Sequence, residues 1–281
     1  MLPPHLEYIA PTSIGAAVEA LASRPNAMFT AGSYRLLIDL KMRRIEVGTL
    51  VDLRKLRELY PIASTDSALE IGAMVSLDAL ARDQRALASA AALAQAAAHT
   101  GDAQIRNMAA VGGTLAYDAS ASDIAAALIA LNADIYTHRS NGERVIPAAD
   151  FFTADSKTAL HQDEIITIIA VPNGFERSAF EKYAHPASLG AIIAVAAAVT
   201  LDTDGRVAQC GLGVSGSTAR ALRLSAAETA LIGGALDEAA IGRAAAVAAE
   251  GVQWLPEPLA SPEYRSHRLS VMLARALRRL I

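Results

Sequence analysis

Two adjacent glycines near the middle of the chain are the clearest place for chemistry. The run Ala109-Ala110-Val111-Gly112-Gly113-Thr114 lets the backbone approach another group closely, and successive free N–H groups in such a turn form a concave anion site. Further along, Asp123 opens an apolar helix with Ser120 or Ser122 as its N-cap. A backbone cradle followed by a fixed carboxylate suits a ligand with phosphates and polar groups. An ordinary tight turn and a first-turn acid that complements the helix dipole are the alternative interpretation.

A second turn lies between a short apolar strand and a helix near the N-terminus. It comprises Ala31, Gly32, Ser33, Tyr34, Arg35 and Leu36. A turn that feeds a helix N-terminus presents unpaired N–H groups to a phosphate, although the dinucleotide spacing Gly-x-Gly-x-x-Gly is absent. Arg35 could pair with a diphosphate or point to solvent, and Tyr34 could stack on a ligand or crowd it. An ordinary strand-to-helix turn is again the alternative.

Composition argues against several other functions. The chain of 281 residues has 25 Lys and Arg against 29 Asp and Glu, so no basic excess indicates nucleic acid. The single cysteine, Cys210, cannot hold an iron–sulfur cluster or close an internal disulfide. The histidines are scattered without i,i+4 pairing, which argues against a metal site. No secretory signal follows Met1 and no apolar run is long enough to span a membrane, so we expect a soluble, cytoplasmic protein.

Hydrophobic patterning predicts the elements that position the two turns. In the first part it indicates a helix capped by Thr12 or Ser13, strands over 27–30, 49–53, 68–73 and 163–172, a helix over 36–41 and one continuous helix over 86–98. A boundary falls at 173–177. Beyond it the pattern indicates strands over 179–183, 191–201 and 206–214, then helices over 218–232, 237–250 and 262–280.

Three motifs resemble the FAD-binding subunit of molybdenum-containing hydroxylases, the family of the carbon monoxide dehydrogenase medium subunit and the xanthine dehydrogenase flavin domain. They are Gln104-Ile105-Arg106-Asn107, Val111-Gly112-Gly113-Thr114-Leu115 and Ser122-Asp123. The turn at 31–37 resembles the family's other flavin loop, Ala-Gly-Gly-(Thr/His)-(Asp/Ser)-Leu-Leu. The similarity extends over almost the whole chain. It departs from the family pattern at Ser33, Tyr34, Arg35, Ala110, Thr114 and Tyr117.

The resemblance implies an α+β fold in two parts. Residues 1–172 would form a two-lobed FAD-binding domain of the vanillyl-alcohol-oxidase (PCMH-like) type, with lobes at about 1–56 and 57–172. Residues 173–281 would form a C-terminal domain like that of the carbon monoxide dehydrogenase flavoproteins, with an antiparallel sheet and a three-helix bundle.

The resemblance also implies bound FAD, with the two glycine-containing loops around its diphosphate. Asp123 would orient the flavin or its ribityl chain, Ile166 would pack on the isoalloxazine ring, and Lys182 beside the ring would favour the reduced, anionic flavin by its charge. The implied cofactor-binding residues are Ala31, Gly32, Ser33, Tyr34, Arg35, Leu36, Ala110, Val111, Gly112, Gly113, Thr114, Asp123, Ile166 and Lys182. Taken alone, Ile166 also fits a core residue and Lys182 a surface strand residue.

The implied role is electron transfer within a complex. A molybdopterin-bearing large subunit would oxidise a C–H bond, a [2Fe-2S] small subunit would pass single electrons on, and the flavin would deliver them as a pair. A heterohexamer, a dimer of heterotrimers, is one assembly that this implies. Each charged hydrogen bond lost in the altered loops costs about 1.5–3 kcal/mol, so a flavin-poor structural subunit is the alternative, and a free-standing flavoenzyme a remote third. The substrate and the final acceptor stay open.

Overall fold

A computed structural model of the chain describes residues 5–117, 122–153, 157–187, 189–256 and 260–281. Its strands are β1 (Glu7–Ile9), β2 (Ala27–Thr30), β3 (Thr49–Asp52), β4 (Ile62–Ser64), β5 (Ala68–Gly72), β6 (Asp134–Arg139), β7 (Gly142–Pro147), β8 (Ile165–Pro172), β9 (Arg177–Ala184), β10 (Ala191–Leu201), β11 (Val207–Gly216) and β12 (Leu222–Arg223). Its α-helices are α1 (Ile14–Ala22), α2 (Tyr34–Lys41), α3 (Leu77–Arg82), α4 (Gln84–Ser89), α5 (Ala91–His99), α6 (Ala103–Met108), α7 (Val111–Tyr117), α8 (Asp123–Ala130), α9 (Ala148–Phe151), α10 (Ser225–Thr229), α11 (Glu238–Val247) and α12 (Pro262–Arg278).

The strands form three sheets. A small parallel sheet has the order β1-β3-β2, a five-stranded antiparallel sheet has the order β4-β5-β8-β6-β7, and a four-stranded antiparallel sheet has the order β12-β11-β10-β9. The first two sheets carry the N-terminal part of the chain and the third carries the C-terminal part, where α10, α11 and α12 follow it. The α+β fold with a C-terminal antiparallel sheet and helices is therefore confirmed.

The first helix forms as its residues predict. The Ser13 side chain accepts a hydrogen bond from the Ala16 N–H, as an N-cap does. Val18 and Leu21 lie on the buried face and pack with Val51 of β3. Ser76 caps α3 in the same way through the Ala79 N–H. Local sequence thus sets these helix starts, and burial of the apolar face fixes each helix on its sheet.

The prediction of one continuous helix over 86–98 is wrong. Two helices, α4 and α5, meet at Ala90, whose φ of −140° and ψ of 48° are not helical. The start of α5 obtains its cap from the C-terminal sheet, because the Ala92 N–H donates to Ser178 Oγ on β9 at 3.0 Å. An acceptor that is distant in sequence offsets the broken helical bonds, so helix propensity alone could not show the break.

Residues 222–223 also depart from the predicted helix over 218–232. They form the edge strand β12, which pairs with Gly213 and Val214 of β11. The following helix is reduced to α10, at Ser225–Thr229. Pairing to an open sheet edge here overrides the local preference for helix.

Helix α8 joins the two parts of the chain. Every residue of α8 is buried, and the helix packs on β11 so closely that a Cβ on Gly211 or Gly213 would lie within 3.0 Å of a backbone carbonyl of Ala130 or Ala126. Arg223 Nη2 donates to the Ile129 carbonyl at 2.7 Å near the end of the helix. The predicted cap Ser120 lies outside the described residues, whereas Ser122 occupies the N-cap position without a side-chain cap hydrogen bond.

The described part of the chain contains neither a helix that could span a membrane nor a cluster of metal-ligating side chains. None of the helices there has the length and apolarity that a membrane span requires. None of the His, Cys, Asp and Glu side chains there form a group of three or more that could hold a metal ion.

Candidate functional site

The two glycine-containing turns meet in space. A Cβ on Gly32 would lie within 3.0 Å of the Met108 carbonyl oxygen and of Ala109 Cα, so any side chain at position 32 would separate them. A Cβ on Gly113 would lie 3.4 Å from Ala31 Cβ. Segments more than seventy residues apart in the sequence are therefore in contact at their backbones, and the family resemblance had implied that they would act together.

The first turn is shaped by Ser33. Ser33 is the N-cap of α2 and adopts the left-handed conformation, with φ of 59° and ψ of 16°. This region costs a non-glycine residue about 1–2 kcal/mol. The Ser33 hydroxyl hydrogen-bonds to the Thr30 hydroxyl and, at 3.4 Å, to the Ala31 carbonyl. Serine thus adopts a left-handed conformation that glycine reaches at no steric cost, and local side-chain hydrogen bonds support it.

The second turn differs from its prediction. Gly112 and Gly113 lie in the first turn of α7, and neither is among the residues with positive φ. The Val111 N–H donates to the Val75 carbonyl and the Gly112 N–H to the Ala73 carbonyl, both at 2.9 Å. The predicted series of free N–H groups is therefore wrong for these two residues. The Gly113 N–H has no acceptor among the described residues, so it is the donor that this turn still offers.

Glycine at position 112 has a packing role. A Cβ there would lie 2.7 Å from Ala73 Cβ, at the end of β5. The close approach brings the start of α7 onto the five-stranded sheet, which fixes the position of Gly113. Gly112 therefore allows α7 to pack against the sheet, and Gly113 leaves space beside Ala31.

Hydrogen bonds from side chains tie the two turns together. Thr114 Oγ1 donates to the Ala110 carbonyl at 3.0 Å, so its hydroxyl proton is directed into its own helix. Tyr117 Oη donates to Asp39 Oδ2 at 2.7 Å and connects α7 to α2. That hydrogen bond, together with Arg44, holds the pKa of the Asp39 carboxyl below its ordinary value.

A cavity of about 380 Å³ opens between the two turns, and we call it the bend cavity. Apolar side chains from the small parallel sheet, including Met28 and Phe29, form one wall, and the segment from Thr158 to Ile166 forms another. The predicted site residues that line the bend cavity are Ala31, Gly32, Ser33, Tyr34, Arg35, Leu36, Ala110, Gly112, Gly113, Thr114 and Ile166. Tyr34 is half-buried in the wall, and Arg35 is exposed at its edge.

Three predicted site residues lie outside the lining of the bend cavity. Val111 is fully buried in the core. Lys182 Nζ lies 2.7 Å from Asp123 Oδ2 and 3.0 Å from the His99 carbonyl oxygen, with 4% and 5% of the Lys182 and Asp123 side chains exposed. Burial rules out the interpretation of Lys182 as a surface residue. The ion pair joins α8 to β9, and the action of either side chain on a flavin stays a prediction.

One further polar cluster in the wall of the bend cavity could not be predicted from the sequence. Glu164 immediately precedes β8, and its side chain is fully buried. Arg144 donates to both of its oxygens at 2.6 Å, and the Thr137 hydroxyl and the His161 N–H donate as well. These residues come from two strands and a loop, so no spacing in the sequence relates them.

The residues of the bend cavity fit a diphosphate-bearing cofactor. The Gly113 N–H is available as a donor, and the side chain that glycine lacks at this position would project into the gap beside Ala31. Arg35 adds a cation at the edge of the cavity. The apolar side chains of the lining, which include Ile166, suit the flat aromatic parts of such a ligand.

Comparison with known proteins agrees with this geometry. Residues 4–174 match the FAD binding domain in molybdopterin dehydrogenase, and residues 178–280 match the CO dehydrogenase flavoprotein C-terminal domain. The chain is 29% identical to the 6-hydroxypseudooxynicotine dehydrogenase complex subunit alpha of Paenarthrobacter nicotinovorans, over 99% of this chain and 95% of that protein. It is 30% identical to the carbon monoxide dehydrogenase medium chain of Hydrogenophaga pseudoflava, over 99% and 97% of the two chains.

Solved structures show the same similarity. A chain of the carbon monoxide dehydrogenase from Hydrogenophaga pseudoflava that lacks the Mo-pyranopterin moiety superposes with a TM-score of 0.93 at 31% identity, covering 99% of this chain and 98% of that one. A chain of quinoline 2-oxidoreductase from Pseudomonas putida 86 gives 0.92 at 27% identity, with the same coverage. The chain therefore belongs to the FAD-binding medium subunits of the molybdenum hydroxylase family of oxidoreductases, and its cofactor is FAD.

Proposed function

We propose that this chain transfers electrons within a multi-subunit molybdenum hydroxylase. It receives them from a [2Fe-2S] small subunit and delivers them to an external acceptor, while a molybdopterin-bearing large subunit oxidises the substrate. The observation that carries the proposal is the contact of two distant turns, through Gly32 and Met108, beside one cavity. Such convergence builds a single site for a diphosphate from two sequence motifs.

Within this proposal the two turns hold the diphosphate of FAD. The Gly113 N–H donates to it, Arg35 neutralises part of its charge, and Ile166 packs against the ring system. When bound, FAD collects electrons singly and returns them as a pair, which is the chemistry that the cofactor supplies. The protein binds and orients it, and the apolar wall of the bend cavity keeps water from part of its surface.

Other redox groups of the complex would reside in partner subunits. Cys210 is buried on β11, and burial raises the pKa of its thiol to about 12. A thiol of that kind is neither a ready ligand for a cluster nor a nucleophile. Relatives such as the Paenarthrobacter protein are named as subunits of a dehydrogenase complex. We propose a corresponding assembly here, a dimer of heterotrimers.

The domain limits form part of the proposal. We place the FAD-binding domain at 1–172, with lobes at about 1–56 and 57–172, and the C-terminal domain at 173–281. The end of β8 at Pro172 and the start of β9 at Arg177 support a boundary between them.

Native-level expression of the tagged chain, followed by analysis of the co-purifying subunits and cofactors, tests the proposal. We expect stoichiometric FAD together with a chain that carries iron–sulfur clusters and a chain that carries molybdopterin. Rapid-mixing measurements should show that the substrate of the complex reduces the flavin only when all three chains are present. A colourless complex that takes up no added FAD would contradict electron transfer and indicate a structural subunit. Turnover by the isolated chain would contradict the need for partners.

A further inference from the structure

A negative charge is buried in the wall of the bend cavity, although the cavity is proposed to bind an anion. Glu164 is among the residues that line the cavity, and none of its side chain is exposed to solvent. Like charges repel more strongly in a partly buried setting than in water, because the effective dielectric constant is lower there. An uncompensated carboxylate at this position would therefore oppose a diphosphate.

Arg144 on β7 compensates that charge. Its Nε lies 2.6 Å from Glu164 Oε1, and its Nη2 lies 2.6 Å from Oε2, which is the bidentate geometry of a strong charge-assisted pair. Burial by itself would raise the pKa of the Glu164 carboxyl, but the hydrogen bonds from Arg144, the His161 N–H and the Thr137 hydroxyl outweigh it and hold that pKa at about 2. The carboxylate is thus ionised at neutral pH and electrically cancelled.

The same guanidinium also positions the wall. Arg144 Nη2 donates to the Ala159 carbonyl at 2.7 Å, and Glu164 accepts from the His161 N–H at 2.9 Å. The segment from Ala159 to Glu164 is therefore fastened at both ends to β7 and β6. Because this segment leads directly into Ile165 and Ile166, its position sets the wall against which a ligand would pack.

We propose that Arg144 is a charge-compensating and positioning residue for the FAD diphosphate, acting through Glu164 rather than by contact with the cofactor. The inference rests on the proposed function, which places FAD in the bend cavity. Among the described residues, the groups that hydrogen-bond to the Glu164 carboxylate are Thr137 from β6, Arg144 from β7 and the His161 N–H from the loop. On its own loop, Asp163 is engaged by the Ser140 hydroxyl.

The test compares FAD with riboflavin, which carries no phosphate, by fluorescence titration of the full chain after removal of flavin. Arg144→Met should weaken FAD about tenfold or more and riboflavin much less, because it exposes the ligand to the Glu164 charge. The loss of FAD affinity in Arg144→Met should grow between about pH 5 and pH 9, because the Glu164 carboxyl without its cation is protonated at low pH and ionises as the pH rises. The unaltered chain should show no such growth, since its Glu164 is ionised throughout.

Two further variants separate charge from shape. Arg144→Met combined with Glu164→Gln should restore the FAD-to-riboflavin affinity ratio of the unaltered chain and abolish the added pH dependence. Arg144→Lys keeps the positive charge and should keep the ratio, even if the wall is less well positioned. Thermal melts of the flavin-free proteins show which variants are folded. If Arg144→Met does not fold, Arg144→Lys and the double variant still test the proposal.

Four results would contradict the proposal or its premise. An unchanged affinity ratio in folded Arg144→Met, or a failure of the double variant to restore the ratio, would overturn the proposal and leave a structural ion pair. A lower FAD-to-riboflavin affinity ratio in folded Arg144→Lys would also contradict charge compensation, because lysine keeps the positive charge. If the unaltered chain binds riboflavin as tightly as FAD, the placement of the diphosphate in the bend cavity fails, and that outcome is distinguishable from the others.

Discussion

Replacement of Gly113 by alanine should change protein stability and FAD affinity in opposite directions. Gly113 is in the first turn of α7, and its φ is not positive. The nearest atom to an added Cβ is Ala31 Cβ at 3.4 Å, an ordinary van der Waals contact. Alanine in a helix is favoured over glycine by about 0.5–1 kcal/mol, so the flavin-free variant should unfold at a higher denaturant concentration than the unaltered chain.

The same methyl group would project between the two turns, where the diphosphate is proposed to approach the Gly113 N–H. A displaced charge-assisted hydrogen bond costs about 1.5–3 kcal/mol, which corresponds to a loss of FAD affinity of about tenfold to a hundredfold. Urea unfolding of the flavin-free chain measures the first effect, and fluorescence titration with FAD measures the second. Gly15→Ala is the matched control, because Gly15 lies in α1 with no atom within 4 Å of an added Cβ.

The control variant Gly15→Ala should be more stable than the unaltered chain and bind FAD with the same affinity. Unchanged FAD affinity in Gly113→Ala would refute the assignment of this N–H to the cofactor. A loss of stability in the flavin-free variant would instead refute the geometry described for the start of α7.

Three further predictions concern the rest of the fold. Gly213→Ala should lower the free energy of unfolding by about 1–3 kcal/mol, because its Cβ would overlap the Ala126 carbonyl. The control Gly242→Ala has open space around its Cβ and should not lower that free energy in urea titrations. An unaltered urea midpoint for Gly213→Ala would contradict the close packing of α8. Lys182→Met should lower the free energy of unfolding by about 3–5 kcal/mol, because it leaves the buried Asp123 carboxylate without this cation. Arg278→Met breaks an exposed pair and should lower it much less, so equal losses would be inconsistent with the buried pair. The Glu164 carboxyl has a pKa of about 2 against an ordinary 4.5. Its ionisation therefore contributes up to about 3 kcal/mol to the free energy of unfolding above pH 4.5, and this contribution disappears as the pH falls towards 2. Glu164→Gln should flatten the acid limb of a plot of stability against pH, and an unchanged limb would argue against this assignment.

The sequence was sufficient to predict structural features whose physical cause is local. Ser13, one of the two predicted caps, begins the first helix, because a cap needs only a side-chain oxygen and an N–H three residues later. The turn at Ser33 could also be predicted, since the residues that support it lie within three positions of it. The convergence of the two turns came from the family resemblance, and the contact of Gly32 with Met108 now gives its physical basis.

Sequence reasoning failed where hydrogen-bond partners are distant. Helix propensity could not show the break at Ala90, because the Ser178 hydroxyl that caps α5 belongs to another sheet. The double glycine indicated a turn with free N–H groups, but the carbonyls of Ala73 and Val75 already accept two of them. The resemblance named Asp123 and Lys182 as separate contacts of a flavin, and only the packing of α8 against β9 shows that they pair with each other.

By itself, therefore, the sequence determined the elements whose causes are local, such as α1 with its cap, and it contains the motifs that carry the family resemblance. Tertiary structure decided what each polar group does. An ion pair such as Arg144 with Glu164 exists because β7 and the start of β8 are brought together on one wall, and neither residue type nor spacing specifies that meeting. The reason is general: a buried polar group must find a partner wherever the fold provides one, whatever the separation along the chain.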